Sequence, residues 1–248
     1  MSVIAQAGAK GRQLHKFGGS SLADVKCYLR VAGIMADYSQ PDDMMVVSAA
    51  GSTTNQLISW LKLSQTDRLS AHQVQQALRR YQSELISGLL PPEVADGLIG
   101  AFIHDLERLA GLLDSGVNDA VYAEVVGHGE VWSARLMSAV LNQQGLESAW
   151  LDARDFLRAE RGAQPQVDEG LSYPLLQQLL AQHPGKRLVV TGFISRSNAG
   201  ETVLLGRNGS DYSATQVGAL AGVSRVTIWS DVAGVYSADR SEERRVGK

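Results

Sequence analysis

The strongest constraint on the fold is an order of elements that occurs twice near the start of the chain. The short extended run Gln13–Phe17 is followed by the small residues 18–21 and then by apolar residues at helical spacing. Residues 44–48 are followed in the same way by the small residues 51–54 and a second helical pattern. Strand, short loop and helix in repeated succession are typical of a parallel sheet covered by helices. We therefore predict an α/β fold, a three-layer αβα sandwich with a mainly parallel central sheet.

The starts of three helices are predicted from the local sequence. A serine in residues 18–21 is expected to cap the first helix, and residues 70–73 have the form of a capping box. A further helix over residues 119–141 is expected to be interrupted at residues 127–129. This interpretation places Glu130 at a helix start, where its carboxylate would complement the helix dipole.

The second half of the chain supplies the remaining predicted strands. Residues 188–194 form an uninterrupted apolar run suited to a buried central strand. Residues 202–205 are expected to be a hairpin partner across residues 198–200. Residues 206–211 form a glycine-rich turn before another helix, and residues 226–229 are the last predicted strand.

The order of these elements predicts one domain over residues 1–239 and a separate tail. No internal repeat and no low-complexity linker divides residues 1–239. Residues 240–248 are strongly charged, and Val246 is their only apolar residue. Because they resemble the translation of a common sequencing adapter, we expect them to be foreign to the domain and the natural chain to continue past Asp239.

Composition and charge exclude several classes of protein. A formal net charge of -3 argues against a dedicated nucleic-acid surface. The single cysteine, Cys27, excludes an intramolecular disulfide framework. No apolar run approaches the roughly 18 residues of a membrane span, and the first residues lack the apolar core of a secretory signal. The sequence therefore predicts a soluble, cytoplasmic protein that binds neither membranes nor nucleic acid.

The loops after the first two predicted strands have the composition of a phosphate-binding site. Lys16 stands at the end of the first strand, and Gly18 and Gly19 allow backbone N–H groups to approach phosphate oxygens. Residues 48–54 repeat the arrangement after the second strand, and adjacent parallel strands would bring both loops to one edge of the sheet. A tight turn with an exposed lysine is the alternative for the first loop alone. The two loops together favour a phosphate cradle.

A third loop, residues 206–211, combines a cation with an acid. Arg207 offers a planar fork suited to a carboxylate or a phosphate. Asp211 could orient a phosphate-binding lysine electrostatically, whereas helix capping is the alternative role for Ser210 and Asp211. His128 is left without an assigned role.

Six motifs, in the same order along the chain, resemble those of the aspartate kinases of the amino-acid kinase family. The resemblance extends from Gln13 to Asp239 and implies the amino-acid kinase (carbamate kinase-like) form of the predicted sandwich. The motifs are residues 16–21, 46–55, 127–136, 190–194, 205–214 and 228–236.

The resemblance implies a reaction and its ligands. Aspartate kinases transfer the γ-phosphoryl group of MgATP to the β-carboxylate of L-aspartate and form 4-phospho-L-aspartate, in the first step of lysine, threonine and methionine biosynthesis. The magnesium ion is carried mainly by the nucleotide, so no metal site on the protein is implied. No general base is required, because the attacking carboxylate is ionised at neutral pH. A homo-oligomer is implied for the full-length protein.

The resemblance also implies roles for individual residues. Lys16 would contact the transferring phosphoryl group and Asp211 would organise that lysine, so these two are the implied catalytic residues. Glu130 would pair with the substrate ammonium and Arg207 with a substrate carboxylate. The implied ATP and phosphate contacts are Lys16, Gly18, Gly19, Ser20, Ser48, Gly51, Ser230, Asp231 and Tyr236. The implied aspartate contacts are Thr54, Glu130, Phe193, Arg207 and Ser210.

Two other functions stay open. Another amino-acid kinase, acting on glutamate or acetylglutamate, is one alternative, although Glu130 and residues 207–211 favour aspartate. The family pattern continues past Tyr236 with an Asp-Pro-Arg turn, whereas Arg240 follows Asp239 here. The nucleotide lobe is therefore expected to be truncated, so that the 248-residue chain has little or no aspartate kinase activity. The second alternative is accordingly a non-catalytic aspartate-binding fragment.

Overall fold

A computed structural model of the chain describes residues 11–230. The strands are β1 (Gln13–Phe17), β2 (Met44–Val47), β3 (Ser148–Leu151), β4 (Arg187–Thr191), β5 (Ile194–Arg196), β6 (Thr202–Leu204) and β7 (Arg225–Trp229). The helices are α1 (Val25–Tyr38), α2 (Thr53–Ser64), α3 (Arg68–Leu89), α4 (Pro92–Asp114), α5 (Asp119–Gln143), α6 (Glu169–Gln182) and α7 (Gly209–Leu220). The predictions for Asp231, Tyr236 and residues 240–248 lie outside the described residues.

Five strands form a parallel sheet in the order β3-β4-β2-β1-β7, and both of its faces are buried. Along β2, Met45 and Val47 belong to one apolar core, which they share with α1 to α5. Met44 and Val46 point to the opposite face and belong to a second core, formed mainly with α6 and α7. This arrangement confirms the predicted three-layer sandwich with a parallel central sheet.

Several predicted elements are found where the sequence placed them. β1, β2, β6 and β7 agree with the predicted strands to within one residue at either end. β6 pairs antiparallel with β5 in the expected hairpin, but this hairpin is a separate two-stranded sheet and not part of the central one. Within residues 11–230, the helices lack the combined length and apolar character that crossing a membrane requires.

The predicted caps of two helices are wrong. Residues Gly19–Leu22 form a 3-10 turn, and the cap of α1 is Asp24, whose carboxylate accepts a hydrogen bond from the Cys27 backbone at 2.7 Å. The cap of α3 is Asp67, which accepts from the backbone N–H of Ser70 at 3.1 Å. An aspartate close to either predicted cap can satisfy the free N–H groups of the first turn, and the chain uses it.

The expected interruption of the helix over residues 119–141 is also wrong, because α5 runs unbroken through its glycines. A Cβ atom on Gly127 would lie 2.6 Å from Ile194 Cγ2, and one on Gly129 would lie 2.9 Å from Ala49 Cβ. These glycines therefore allow α5 to pack closely on its neighbours. Glu130 lies in the middle of the helix and not at its start, so the helix-dipole interpretation of this residue fails.

The run 188–194 is not one strand to its end. β4 stops at Thr191, and Gly192 donates a backbone hydrogen bond to the Val47 carbonyl at 2.9 Å. Phe193 has a φ of 64°, which turns the chain sharply before Ile194 begins β5. The apolar run therefore supplies a central strand and, after a bend, the first strand of the hairpin.

Candidate active site

The predicted lysine and aspartate meet at the carboxyl edge of the parallel sheet. Lys16 is the penultimate residue of β1, and its side chain is only 11% exposed. Asp211 lies in the first turn of α7. Lys16 Nζ is 2.6 Å from Asp211 Oδ1, so the carboxylate neutralises and orients the ammonium group. Lys16 is therefore held at the sheet edge and is not the freely exposed lysine of the alternative interpretation.

The glycine loops after β1 and β2 touch through their backbones beside Lys16. The Gly51 N–H donates to the Gly19 carbonyl at 2.9 Å. A Cβ atom on Gly19 would lie 2.7 Å from the Ala49 carbonyl oxygen, so only glycine permits this approach. A Cβ atom on Gly18 would lie 3.6 Å from Lys16 Nζ. The two loops thus form one cradle, in which backbone groups and a cation face the same space.

Glu130 extends from α5 toward the same cradle. Its side chain is fully buried, and Oε2 has no hydrogen-bond partner among the described residues. Burial raises the pKa of Glu130 to about 8, although a hydrogen bond from the Ala49 backbone and the charge of Lys16 oppose the shift. A buried carboxyl group with an unpaired oxygen is suited to receive a cationic group from a ligand.

The start of α7 brings together the other predicted substrate contacts. Arg207 is exposed and lines a cavity of about 520 Å³ that also reaches Asp211. Ser210 packs against Gly192, where a Cβ atom would lie 2.8 Å from Ser210 Oγ. The Phe193 N–H donates to Ser213 Oγ at 2.9 Å, which ties the bend after β4 to α7. The structure therefore places these three predicted contacts close together, around the start of α7: Arg207, Ser210 and Phe193.

The structure places four further predicted contacts at the same sheet edge or next to it. Ser20 is exposed in the 3-10 turn after β1, and Thr54 is half-buried in the first turn of α2. The Ser48 N–H donates to the Phe17 carbonyl at 3.1 Å, which extends the pairing of β1 and β2. Ser230 is exposed directly after β7, the neighbour of β1.

The sequence analysis missed two residues that support the cradle, Tyr81 and Gln82 of α3. Neither residue is singled out by the sequence analysis. Gln82 is 2% exposed and donates from Nε2 to Thr53 Oγ1 at 3.0 Å. Its position four residues after the buried Leu78 is the one local signal, since it places a polar side chain on the buried face of the helix.

His128, which had no assigned role, lies on the far side of α5 from the site. It is buried between Asp105 and Glu124, with a ring nitrogen 3.6 Å from each carboxylate. Arg135 and Arg154 complete this network through ion pairs with Asp105 and Glu124 respectively. Within residues 11–230, no group of three or more histidine, cysteine, aspartate or glutamate residues has the geometry of a metal site.

Comparison with known proteins identifies the family. The sequence profile described as the amino acid kinase family matches residues 11–248. The chain belongs to the amino acid kinase family. This amino acid kinase chain is 92% identical over 239 residues to the bifunctional aspartokinase/homoserine dehydrogenase 2 of Escherichia coli (strain K12), covering 96% of this chain and 30% of that protein.

Two further comparisons are more distant. Lysine-sensitive aspartokinase 3 of E. coli (strain K12) is 32% identical over 229 residues, which cover 90% of this chain and 50% of that protein. The crystal structure of E. coli aspartokinase III in complex with aspartate and ADP superposes with a TM-score of 0.81 at 28% identity, over 93% of this chain and 51% of that one. This amino acid kinase chain thus spans 30% to 51% of the length of these three relatives.

Proposed function

We propose that this domain is an aspartate kinase, which transfers the γ-phosphoryl group of ATP to the β-carboxylate of L-aspartate. The observation that carries the proposal is the buried Glu130 carboxyl group, whose Oε2 has no hydrogen-bond partner among the described residues. An amino-acid substrate brings an ammonium group, which would displace the proton of this carboxyl group and pair with the carboxylate, whereas the substrate's own carboxylates suit Lys16 and Arg207. The aspartokinase names of the relatives support the same substrate.

The nucleotide phosphates would lie over the glycine cradle. Backbone N–H groups and the Lys16 ammonium are the donors that phosphate oxygens require, and the missing side chain of Gly18 leaves space next to Lys16 Nζ. Magnesium would arrive on the nucleotide. We propose Gly18, Gly19, Ser20, Ser48, Gly51 and Ser230, and from the resemblance Asp231 and Tyr236, as ATP contacts.

The reaction would need neither a covalent intermediate on the protein nor a general base. A β-carboxylate oxygen of aspartate attacks the γ-phosphorus and forms the new P–O bond, while the bond to the β-phosphate oxygen breaks and ADP leaves with its electron pair. No proton has to be removed, because the attacking carboxylate is already ionised. Lys16 would stabilise the charge on the transferring oxygens, and Asp211 would keep that lysine in place.

The aspartate subsite would lie between α5 and α7. Glu130 would pair with the substrate ammonium and Arg207 with a substrate carboxylate, at opposite ends of a short molecule. Thr54, Phe193 and Ser210 would line the space between them. Lys16 of β1 is paired with Asp211 in the first turn of α7, and the β-carboxylate would meet the phosphoryl group beside this lysine.

The chemistry of Glu130 also bears on the alternatives. N-acetylglutamate has no ammonium group, so its binding would leave the buried carboxyl group without a cationic partner. Free glutamate retains the ammonium and differs from aspartate by one methylene. Glutamate kinase and the non-catalytic aspartate-binding fragment are therefore the alternatives that an experiment has to separate.

The test is a substrate screen with MgATP that measures ADP release by this chain and by a full-length homologue in the presence of L-aspartate, L-glutamate or N-acetyl-L-glutamate. Calorimetry with each amino acid and with a non-hydrolysable ATP analogue accompanies the screen. ADP release with aspartate alone supports the proposal, and release with glutamate contradicts it. If calorimetry detects binding of aspartate but not of the nucleotide analogue, and no ADP is released, the chain is a non-catalytic aspartate-binding fragment.

Further proposals rest on the resemblance or on the sequence alone. We propose that the full-length protein is a homo-oligomer, that it is cytoplasmic, and that its product enters lysine, threonine and methionine biosynthesis. We also propose that the domain covers residues 1–239 and that residues 240–248 are foreign to it.

A further inference from the structure

We infer that Tyr81 and Gln82, adjacent on α3, are positioning residues that hold the Gly51 loop in shape for ligand binding. The Gly51 loop is defined here as residues 49–53, from the turn after β2 to the first residue of α2. The inference rests on the proposed function only for its effect on ligands. The contacts that carry it are all within the protein.

Gln82 is connected to the loop by a chain of hydrogen bonds. Its Nε2 donates to Thr53 Oγ1 at 3.0 Å, and the Thr53 hydroxyl donates onward to the Ala50 carbonyl at 2.6 Å. The Thr53 backbone N–H donates to the same carbonyl at 3.0 Å. A buried amide is costly unless it is paired, and here its donor is used to orient the Thr53 hydroxyl and, through it, the loop backbone.

Tyr81 joins the Gly51 loop to the segment that follows β1. Its hydroxyl donates to the Ala23 carbonyl at 2.9 Å. The same oxygen lies 2.9 Å from the place that a Cβ atom on Gly51 would occupy, and Gly51 adopts a φ of +53°. The phenol therefore closes over the Gly51 backbone, whose N–H donates to Gly19. A displaced Tyr81 would loosen the contact between the two glycine loops.

The loop also touches the helix that carries Glu130. A Cβ atom on Gly129 would lie 2.9 Å from Ala49 Cβ and 3.0 Å from Thr53 Cγ2, so loop and helix are in tight contact. The Ala49 backbone contributes a hydrogen bond to Glu130. A shift of the loop would therefore disturb the Glu130 carboxyl group as well as the phosphate cradle, although neither Tyr81 nor Gln82 belongs to the proposed set of ligand contacts.

The test compares Tyr81→Phe and Gln82→Met with Gln76→Met, a matched change on the exposed face of the same helix. Native-state amide hydrogen exchange, followed by NMR, is measured for Gly51 and for the central strands β2 and β4. Aspartate affinity is measured by calorimetry. Loss of one hydrogen bond of about 0.5–1.5 kcal/mol corresponds to about two- to tenfold faster exchange at Gly51 and a similar loss of aspartate affinity.

Selective acceleration at Gly51 in both variants, with β2, β4 and the Gln76→Met control unchanged, supports the inference. Equal acceleration in the loop and in β2 and β4 shows a general stabilising role and overturns it, as does an unchanged Gly51. Tyr81→Phe keeps the ring, so it keeps the test valid where Gln82→Met fails to fold. If the wild-type chain binds no aspartate, the proposed function fails, while the exchange data still decide whether the two residues position the loop.

Discussion

At the scale of single residues, the ion pair between Lys16 and Asp211 shows what the sequence can predict. Each residue stands next to a glycine-rich loop, one at the end of a strand and one at the start of a helix, so the fold class alone brings them to one sheet edge. Gln82 could not be assigned in this way, because its partner, Thr53, is on another helix. A side chain that supports a site only through contacts with a loop residue is not part of a recognisable sequence motif.

Substitution of Lys16 by alanine is expected to reduce turnover while the fold is retained. The side chain supplies a charge to the transferring phosphoryl group, and loss of a comparable electrostatic stabiliser lowers kcat by about 10²–10⁴-fold. The measurement is aspartate-dependent ADP release by a full-length homologue changed at the matching lysine. Alanine at the position of the exposed Lys26 is the control. A wild-type kcat in the Lys16 variant would show that the assigned role is wrong.

At the scale of elements, the sequence predicts strands better than it predicts helix starts. An apolar run followed by small residues locates β2, all of whose residues are buried, and the short extended segments at 13–17 and 226–229 locate β1 and β7. The continuity of α5 was not predicted, since the need for its glycines comes from Ala49 and Ile194, on separate elements. Glycine in a sequence does not show whether it breaks a helix or lets another element approach.

Gly129→Ala is expected to destabilise the protein, and Gly100→Ala is not. The new methyl group on α5 would lie 2.9 Å from Ala49 Cβ, and such overpacking costs about 1–3 kcal/mol. A Cβ atom at position 100, on α4, would have no atom of another part of the chain within 4 Å. The higher helix propensity of alanine should therefore stabilise the protein by up to about 1 kcal/mol. Urea denaturation of both variants measures the difference. Equal stability of the two variants would refute the close-packing explanation of α5.

At the scale of the whole molecule, buried charges on the two sides of α5 predict how stability varies with pH. Although burial raises the pKa of Glu124, the charge of Arg154 and the hydrogen bond from Thr202 outweigh it and lower the pKa to about 2. His128 and Arg135 likewise overcome burial and lower the pKa of Asp105 to about 2. Both carboxylates therefore stabilise the fold above their unfolded pKa values of about 4, and this contribution is lost as pH falls toward 2.

Glu130 has the opposite effect on the free energy of unfolding. Its pKa is about 8 in the folded protein, against 4.5 for the ordinary side chain, so between these values the folded state retains a proton that the unfolded state has lost. Its contribution to stability therefore falls as pH rises from about 4.5 to 8. Glu130→Gln should remove this decline, which thermal unfolding between pH 5 and 9 measures. A decline of the same slope in the variant would show that another group causes it.

The central claim is that the buried Glu130 carboxyl group makes this site a receptor for the ammonium group of L-aspartate. It is tested most directly by titrating L-aspartate into the wild-type chain and into Glu130→Gln in a calorimeter above pH 8, where the Glu130 carboxyl group is ionised, with MgADP titrated into both as the control. A charge-assisted contact of about 1.5–3 kcal/mol predicts that the variant binds aspartate about ten- to a hundredfold more weakly than the wild type. The affinity for MgADP should be the same in both chains. Equal aspartate affinity in the two chains, or an equal loss for both ligands, would contradict the account.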